Sequence, residues 1–534
     1  MKLNHTLSCV LGMCLALAPQ IATAQTMSGQ TTSRGPRIHV ETGDLAGMRQ
    51  GAAEAFLGIP YAAPPVDDNR WKAPLPAKAW QGVRPATAFG ASCWQPVNKA
   101  GFGPWTHEYV VQDAVSEDCL FVNVWRPAGT RAAQHLPVMV WIHGGGFSSG
   151  SGSVPIYDGR HLAEKGILVV TINYRVGLFG FLAHPDLTAE GKAAGTPPAN
   201  FGIQDQIAAL AWIRRNIASF GGDPDRVTIA GQSAGSMAVH ILTVSPMARG
   251  LFRGAIAESG ISLPQNDDNV LAKAERGGLA LSAANGGLSI ADLRKIAADK
   301  LRPGAGSGPF YSPVIDGSVL TSSVVQSLRS GAFHDVPMIV GQNSDEVVSM
   351  SAPSQAATAE EYDRFFRDHF GDMAEEFRSH FPAHDDATRG AALRRAHMSN
   401  GMAAIWQWAQ VRSRATSPTF VYLFTHPEPG PLSAQWKAFH SSEIPYVFET
   451  LDTAPERKFT QVDRRISQGM SDAWVNFVKF GSPDGKGATW RPYSTKTGAV
   501  LKIGATSSMD EPLDASLLAT YARFFAKGGT VSLF

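Results

Sequence analysis

A short glycine-flanked stretch places a serine where a nucleophile could stand. GQSAGSMAV runs from Gly231 to Val239, with Ser233 at the centre of the pattern G-x-S-x-G. It follows the apolar run RVTIA (226–230), which predicts a strand, and it opens a segment that can be helical (233–245). The flanking glycines would allow the strained strand-to-helix turn that lifts a serine hydroxyl above a sheet edge. An ordinary small-residue turn explains the pentapeptide equally well, so Ser233 alone identifies no chemistry.

A second glycine-rich loop supplies what a serine nucleophile needs. His143-Gly144-Gly145-Gly146-Phe147 follows the apolar run VMVWI (138–142). Consecutive glycines leave backbone N–H groups free to hold a developing oxyanion, and losing one such donor typically costs about 2.7–4 kcal/mol. A flexible loop or a phosphate cradle is the alternative, but the sequence holds neither a complete G-x-x-x-x-G-K-[ST] nor a strand-linked G-x-G-x-x-G. The two loops together favour acyl transfer at Ser233.

The acid of such a site has two candidates. A serine hydroxyl needs a general base, and the base needs a carboxylate that orients it. In a strand–serine–helix arrangement the chain order is serine, acid, histidine, so both partners are expected downstream. NSDE (343–346) directly follows the apolar run VPMIVG (336–341), and Asp345 and Glu346 both qualify by position.

The base also has two candidates. His426 follows the predicted strand FVYLF (420–424), and His440 lies in the loop KAFHSSEIPY. The histidines between 369 and 397 lie in charged helical sequence and are expected at the surface. The residues alone leave His426 and His440 tied.

The elements that must position these loops alternate along the chain. Near-continuous apolar runs predict strands buried on both faces, and apolar residues at helical spacing predict helices. The predicted strands are 138–142, 167–173, 226–230, 254–259, 336–341 and 420–424, and the main predicted helices are 203–220, 233–245 and 467–480. This alternation predicts an α/β fold with a large, mostly parallel central sheet and helices on both faces. The stretches 265–330 and 352–417 are expected as insertions that form walls above the sheet.

Composition narrows the class of protein. The 534 residues include 47 Lys and Arg against 46 Asp and Glu, with 44% hydrophobic and 17% charged residues. This balance suits a soluble globular core and gives no argument for nucleic acid or an anionic membrane as a partner. Because no linker divides the chain, we expect one domain over 38–534.

The first 24 residues are typical of a secretory signal peptide. A positively charged start precedes the apolar stretch LSCVLGMCLALAP, and Ala22-Thr23-Ala24 supplies an A-x-A cleavage site. The apolar stretch is too short to span a bilayer comfortably, so we expect a secreted or periplasmic protein without a membrane span. The polar segment 25–37 is expected to be disordered. The two cysteines that remain, Cys93 and Cys119, would most simply pair in an oxidising compartment.

Several ordered segments resemble the type-B carboxylesterase/lipase family, which includes cholinesterases and bacterial carboxylesterases. They are FLGIPYAAPP (56–65), SEDCLFVNVW (116–125), WIHGGGF (141–147), NYRVGLFGFL (173–182) and NFGIQDQIAALAWIRRNIASFGGDPDRVTIAGQSAG (200–235). The resemblance covers nearly the whole mature chain. It implies an α/β-hydrolase fold, hydrolysis of a small-molecule ester through an acyl-enzyme, no metal or organic cofactor and no obligate protein partner.

The resemblance also assigns roles to residues. AFHSSEIPYVF is similar to the family's histidine segment, and NSDE is similar to its N-x-x-E pattern. The catalytic residues would be Ser233, Glu346 and His440; the oxyanion donors would be the backbone N–H groups of Gly145, Gly146 and Ala234; and the family's first disulfide would join Cys93 and Cys119. The family's buried ion pairs would fall on Arg70 with Glu117 and on Arg175 with Asp223.

One residue departs from the family pattern. The commonest elbow of the family has Glu immediately before the serine, where this chain has Gln232. A carboxylate there would favour cationic substrates, so we expect choline esters to be poor substrates. Trp94 and Trp105 lie in the disulfide loop, where cholinesterases carry a choline-binding aromatic residue; the sequence assigns neither of them to that position, and packing of the loop is the alternative role.

Two other functions compete with ester hydrolysis. The same fold serves as a non-catalytic adhesion module in some animal proteins, although those generally lose the nucleophile. Serine chemistry on an amide, a carbamate or a bulky polyester is the second alternative.

Overall fold

The computed structural model describes residues 35–261, 269–302, 311–349, 356–485 and 489–533. Pro36–Phe534 forms one compact unit. The predicted signal peptide and most of the predicted polar segment 25–37 lie outside the described residues. Where that segment enters them, Arg37 is already paired, because it opens the first strand opposite Ala46.

The centre of the fold is a sheet of eleven strands in the order β18-β17-β16-β15-β14-β13-β11-β12-β10-β4-β3. The strands are β1 (Arg37–Val40), β2 (Gly43–Ala46), β3 (Met48–Gln50), β4 (Ala53–Pro60), β5 (Val83–Pro85), β6 (Ser92–Cys93), β7 (Gly101–Phe102), β8 (Trp105–Thr106), β9 (Val115–Ser116), β10 (Phe121–Pro127), β11 (Leu136–Ile142), β12 (Leu168–Ile172), β13 (Gly222–Gln232), β14 (Gly254–Glu258), β15 (Met338–Asn343), β16 (Thr419–Phe424), β17 (Val500–Ile503) and β18 (Ser508–Asp510). Neighbours from β12 to β17 run parallel, and the pairs at both ends of the sheet run antiparallel.

The α-helices fill the connections between strands. They are α1 (Arg160–Glu164), α2 (Gly177–Phe181), α3 (Pro185–Ala194), α4 (Phe201–Asn216), α5 (Ala234–Val244), α6 (Leu271–Ala284), α7 (Ile290–Leu293), α8 (Val324–Ser330), α9 (Ala359–Phe370), α10 (Ala374–Ser379), α11 (Asp386–Val411), α12 (Ser433–Trp436), α13 (Ile444–Phe448), α14 (Gln461–Phe480) and α15 (Ala515–Ala526). The predicted mostly parallel sheet and all six predicted strands are confirmed. The predicted helix 203–220 corresponds to α4 and the 3-10 turn Ile217–Phe220 that follows it.

The sheet is buried on both faces, as its near-continuous apolar strands predict. Along β11, Val138, Val140 and Ile142 belong to one core cluster, while Met139 and Trp141 belong to another on the opposite face. Helices α4, α5 and α11 contribute to the first cluster, and α13 and α14 contribute to the second. Among the described residues, no helix is both long and apolar enough to cross a membrane.

The predicted disulfide is present. Cys93 and Cys119 are joined with their Cα atoms 4.9 Å apart, and both residues are buried. The bridge closes the segment that carries β7 and β8, and Cys119 lies just before β10. It therefore holds this segment beside β10. In oxidising conditions such a crosslink stabilises the fold by limiting the unfolded chain.

One predicted buried ion pair is confirmed and the other is wrong. Arg70 donates to both carboxylate oxygens of Glu117, each at 2.6 Å. Arg175 pairs with Asp205 of α4 at 2.8 and 2.7 Å, and not with Asp223. Asp223 instead accepts the backbone N–H of Asp225 in a local turn. Asp205 is fully buried and also accepts the Arg175 backbone N–H, so α4 supplies the partner that the arginine needs.

The expectation that the histidines between 369 and 397 lie at the surface fails for His397. This residue stands on α11 and packs against the ring of Phe365 at 4.6 Å. Burial lowers the pKa of its imidazole to about 4.

Candidate active site

Ser233 stands at a sharp turn between β13 and α5. Its backbone has φ 58° and ψ −125°, a conformation that typically costs about 1–3 kcal/mol for a non-glycine residue. The turn is held because the Ser233 N–H donates to the Glu258 carbonyl at 2.9 Å. The glycines permit close packing: a Cβ on Gly235 would lie 2.0 Å from the Ile142 carbonyl oxygen, and one on Gly231 would lie 2.6 Å from Gly235.

The glycine loop lies directly against this turn. A Cβ on Gly144 would lie 2.7 Å from the Gln232 carbonyl oxygen and 3.1 Å from the Ser233 Cβ. Gly145 and Gly146 have φ +107° and +62°, which side chains disfavour. Within the described residues, no protein carbonyl accepts their N–H groups. The loop that sequence reasoning proposed as an oxyanion hole therefore meets the proposed nucleophile.

His143, with its imidazole in the neutral form, holds the start of this loop in place. Its ring stacks on Tyr174 at 4.2 Å, and the Tyr174 hydroxyl donates to the His143 carbonyl at 2.8 Å. Burial lowers the pKa of His143 to about 4, so at neutral pH Nδ1 can donate its one proton to the Gly144 carbonyl at 2.9 Å.

Glu346, and not Asp345, meets a histidine. The Glu346 Oε2 lies 2.5 Å from His440 Nδ1, and its Oε1 accepts the backbone N–H of Asn343 at 2.6 Å. Both side chains are buried. The Asp345 backbone N–H pairs with the Ala438 carbonyl, and its carboxylate accepts the Ser344 hydroxyl at 2.6 Å.

His426 has a different partner. Its Nε2 lies 2.8 Å from the Asp463 Oδ1 on α14. The same oxygen accepts the Tyr446 hydroxyl at 2.7 Å, and Oδ2 accepts from the backbone and hydroxyl of Thr460. The structure thus separates the two histidines that sequence reasoning left tied, since only His440 lies against Glu346.

Three residues around His440 have contacts that sequence reasoning did not anticipate. The Gln232 Nε2 lies 3.3 Å from His440 Nε2 and 3.4 Å from Nδ1. The Trp105 indole N–H donates to the His440 carbonyl at 3.0 Å. Glu443 accepts from the Asn343 side chain at 2.5 Å, and Asn343 also donates to the Phe439 carbonyl at 2.7 Å. For Glu443 and its partner Asn343 a signal was available, because Asn343 begins the segment NSDE and Glu443 ends the segment HSSE.

Two further carboxyl groups are buried beneath the site. Burial raises the pKa of Glu443 to about 7, with the nearby Glu346 charge adding to the shift. Burial and the Glu443 charge raise the pKa of Glu258 well above its usual range. The Trp474 indole donates to Glu258 at 2.7 Å, and the Ser259 hydroxyl donates to Glu443 at 3.3 Å. Burial therefore shifts both acids towards their protonated forms.

One group of residues has the composition of a metal site. His107, Glu108 and Glu456 bring ligand atoms within 4.8 Å of one another. However, Glu108 already pairs with Arg457 at 2.6 Å and accepts the Thr106 hydroxyl. Its carboxylate is committed to structure, and the group does not explain the chemistry at Ser233.

Comparisons with known proteins identify the family of this chain. The family described as the carboxylesterase family matches residues 34–520. The chain is 37% identical over 518 residues to the fumonisin B1 esterase of Sphingopyxis macrogoltabida, covering 93% of this chain and 91% of that protein. It is 35% identical over 493 residues to the para-nitrobenzyl esterase of Bacillus subtilis, covering 89% and 96% respectively. A solved structure of a PNB esterase matches with a TM-score of 0.76 at 31% identity, covering 91% of this chain and 99% of that one.

Proposed function

The chain belongs to the carboxylesterase family and is a type-B carboxylic-ester hydrolase, and we propose that it cleaves esters with Ser233, Glu346 and His440. The observation that carries this proposal is the buried 2.5 Å contact between Glu346 and His440, close to the strained turn of Ser233. A carboxylate only accepts hydrogen bonds, so His440 Nδ1 carries the proton and Nε2 is left as the base.

The proposed reaction has two halves. His440 Nε2 takes the Ser233 proton as Oγ attacks the ester carbonyl, and Glu346 stabilises the imidazolium that forms. The N–H groups of Gly145, Gly146 and Ala234 receive the oxyanion. The alcohol leaves with the proton from His440, and water then hydrolyses the acyl-enzyme by the same steps.

We also propose that choline esters are poor substrates. Gln232 is buried and places a neutral amide against His440 where a carboxylate would attract a cation. The test compares butyrylthiocholine with a neutral thioester of butyrate at equal concentrations. A kcat/KM for the choline substrate that equals that of the neutral one would overturn the proposal.

We propose further that the protein is exported after removal of residues 1–24, on the basis of the sequence signal alone. Cell fractionation and N-terminal sequencing of the expressed protein test this. A mature chain that begins at Gln25 outside the cytoplasm is the expected result, and a cytoplasmic chain that keeps Met1 would contradict it.

The catalytic proposal is tested by hydrolysis of p-nitrophenyl acetate, butyrate and octanoate. We expect Ser233→Ala to reduce the rate to background. Ser236→Ala is the matched control, because this serine lies one turn along α5, is buried, and its hydroxyl has no hydrogen-bond partner among the described residues. The activity of this variant should stay near that of the unchanged protein. If the folded wild-type protein cleaves no ester in the panel, a binding role replaces the catalytic one; cleavage of amides instead would change the substrate class.

A further inference from the structure

A positively charged cleft lies behind the catalytic acid. Its volume is about 240 Å³, and its walls include Ser344, Asp345, Arg394, Arg395, Met398 and Lys437. The arginines come from α11, and Lys437 comes from the loop that leads to His440. Since one water occupies about 30 Å³ of liquid, the cleft has room for a small organic ligand of several heavy atoms.

The charges that line the cleft are not balanced within the protein. Arg394, Arg395 and Lys437 face one carboxylate, that of Asp345. In the part of the chain that the structure describes, none of the three cations forms an ion pair or a side-chain hydrogen bond. The Asp345 carboxylate already accepts the Ser344 hydroxyl at 2.6 Å. Three cations against one acid leave an excess of positive charge at a concave site.

Asp345 behaves as a weak counter-ion. Burial raises the pKa of Asp345, while the Ser344 hydroxyl and the charges of Lys437 and Arg394 oppose that shift. An anion that bound between the arginines would therefore meet a carboxylate that takes up a proton more readily than usual. Guanidinium groups also suit carboxylate and phosphate oxygens, because their N–H donors match those oxygens in pairs.

The floor of the cleft is the backbone that positions the catalytic pair. The Asp345 N–H donates to the Ala438 carbonyl at 3.1 Å, which joins the segment of Glu346 to the segment of His440. Asp345 precedes Glu346 directly, and Lys437 stands three residues before His440. A ligand that contacts Lys437 and Asp345 thus acts on the bridge between the two segments.

We propose that this cleft binds a small multivalent oxyanion, a polycarboxylate or a phosphate, and that its occupancy changes the rate of ester hydrolysis. The binding step stands on the cleft alone. The effect on rate rests on the proposed catalytic function of Glu346 and His440.

Isothermal titration calorimetry of the mature protein with citrate and with inorganic phosphate tests the binding. We expect saturable binding of at least one anion, weakened at least tenfold in the double variant Arg394→Gln/Lys437→Gln. The matched control is Lys527→Gln, which removes one exposed positive charge elsewhere and should bind within twofold of wild type. Binding of citrate alone identifies a carboxylate ligand, and binding of phosphate alone identifies a phosphate ligand. No saturable binding, or equal binding by the double variant, would overturn the proposal.

Two controls keep the test decisive. If the double variant does not fold, as judged by circular dichroism, Arg395→Gln replaces it, since its side chain is exposed. Sodium chloride at matched ionic strength must not reproduce the effect, because general screening acts on all surface charges.

The effect on rate has its own test. Hydrolysis of p-nitrophenyl butyrate is measured with and without the anion that binds. A change in kcat of at least twofold in wild type, absent from the double variant, supports the coupling. Binding without any change in kcat would overturn the proposed coupling between anion binding and ester hydrolysis, but not the proposed binding site. A protein that binds the anion but cleaves no ester would instead contradict the catalytic proposal, so the two failures are distinguishable.

Discussion

Replacing Glu346 by Gln tests the proposed catalytic pair most directly. The carboxylate accepts two N–H groups, the Asn343 backbone at 2.6 Å and His440 Nδ1 at 2.5 Å. A glutamine amide has one acceptor oxygen and one donor group. If the oxygen faces Asn343, the amide NH₂ faces His440 Nδ1, which must then give up its proton and leave it on Nε2. That tautomer cannot accept the proton of Ser233.

The opposite orientation is also costly. It aims the amide NH₂ at the Asn343 N–H, and a buried donor without an acceptor costs about 1–3 kcal/mol. The backbone donor cannot rotate away, so we expect the first orientation and the inactive tautomer. Loss of the orienting acid in comparable triads lowers kcat by about 10⁴, which is about 5.4 kcal/mol at about 1.36 kcal/mol per decade. We expect a loss in kcat of about 10³–10⁴ here.

The assay is steady-state hydrolysis of p-nitrophenyl butyrate, with thermal unfolding as the check on folding. Glu54→Gln is the matched control, because Glu54 is also a buried acid and pairs with Arg126 at 2.8 Å on the antiparallel side of the sheet. It should lower the unfolding temperature and leave kcat within about threefold. A Glu346→Gln variant that is folded and loses less than tenfold in kcat would refute the proposed role of Glu346.

Four further predictions concern the glycine loop, the second histidine, its partner Asp463 and the elbow. Gly144→Ala should lower kcat by about 10²–10³, because the added Cβ would press on Gln232 and Ser233 and displace the oxyanion donors. Gly469→Ala is the control, because Gly469 is a helical glycine and a Cβ added there would meet no atom within 4 Å. This control should keep kcat and should not lower the unfolding temperature. His426→Gln should keep kcat within about threefold, whereas His440→Gln should reduce it to background; the reverse result would reassign the base. The pKa of Asp463 is lowered, since its hydrogen bonds from His426 and Thr460 outweigh the effect of burial. Its ionised form therefore stabilises the fold above about pH 4, and this contribution is lost as the pH falls. Urea unfolding should show Asp463→Asn less stable than wild type at pH 7, with the difference in unfolding free energy narrowing towards pH 2; a constant difference would contradict this prediction. Gln232→Glu should raise kcat/KM for butyrylthiocholine relative to the neutral thioester by roughly thirtyfold, because a charge about 7 Å away in a medium of effective dielectric about 20 contributes about 2 kcal/mol, at about 1.36 kcal/mol per decade. An unchanged ratio would show that residue 232 does not set this preference.

The parallel strands from β11 to β16 could be predicted from sequence because each contains a near-continuous apolar run. The antiparallel strands β4 and β10 could not, although every residue of β10 except its last is buried. Polar residues interrupt the apolar run of β10, and each has a specific partner that sequence does not reveal. Asn123 accepts the Gly58 N–H and donates to Thr171, and Arg126 pairs with Glu54.

The proposed catalytic acid and base show where local sequence stops being sufficient. Asp345 and Glu346 are adjacent, and both follow the same strand. What separates them is the backbone hydrogen bond between Asp345 and Ala438. These two residues are 93 positions apart in the sequence (438 minus 345). Arg175 gives the same lesson, because its partner Asp205 is buried within α4, where an acid is hard to anticipate from sequence.

The surroundings of Gln232 in the fold suggest a different role from the one that its sequence position suggests. Sequence comparison suggests that it removes a charge from the substrate site, but its side chain is buried against the His440 ring. Near that ring the protein already holds Glu346, Glu443 and Glu258, and burial raises the pKa of the last two. A further carboxylate at 232 would compete with Glu346 for the imidazolium and raise the cost of ionising its neighbours. With a neutral amide at position 232, Glu346 alone stabilises the charge of the imidazolium. The Gln232→Glu variant should therefore change kcat for neutral esters as well as the selectivity between choline and neutral esters. Kinetics on both classes of ester separate these two effects.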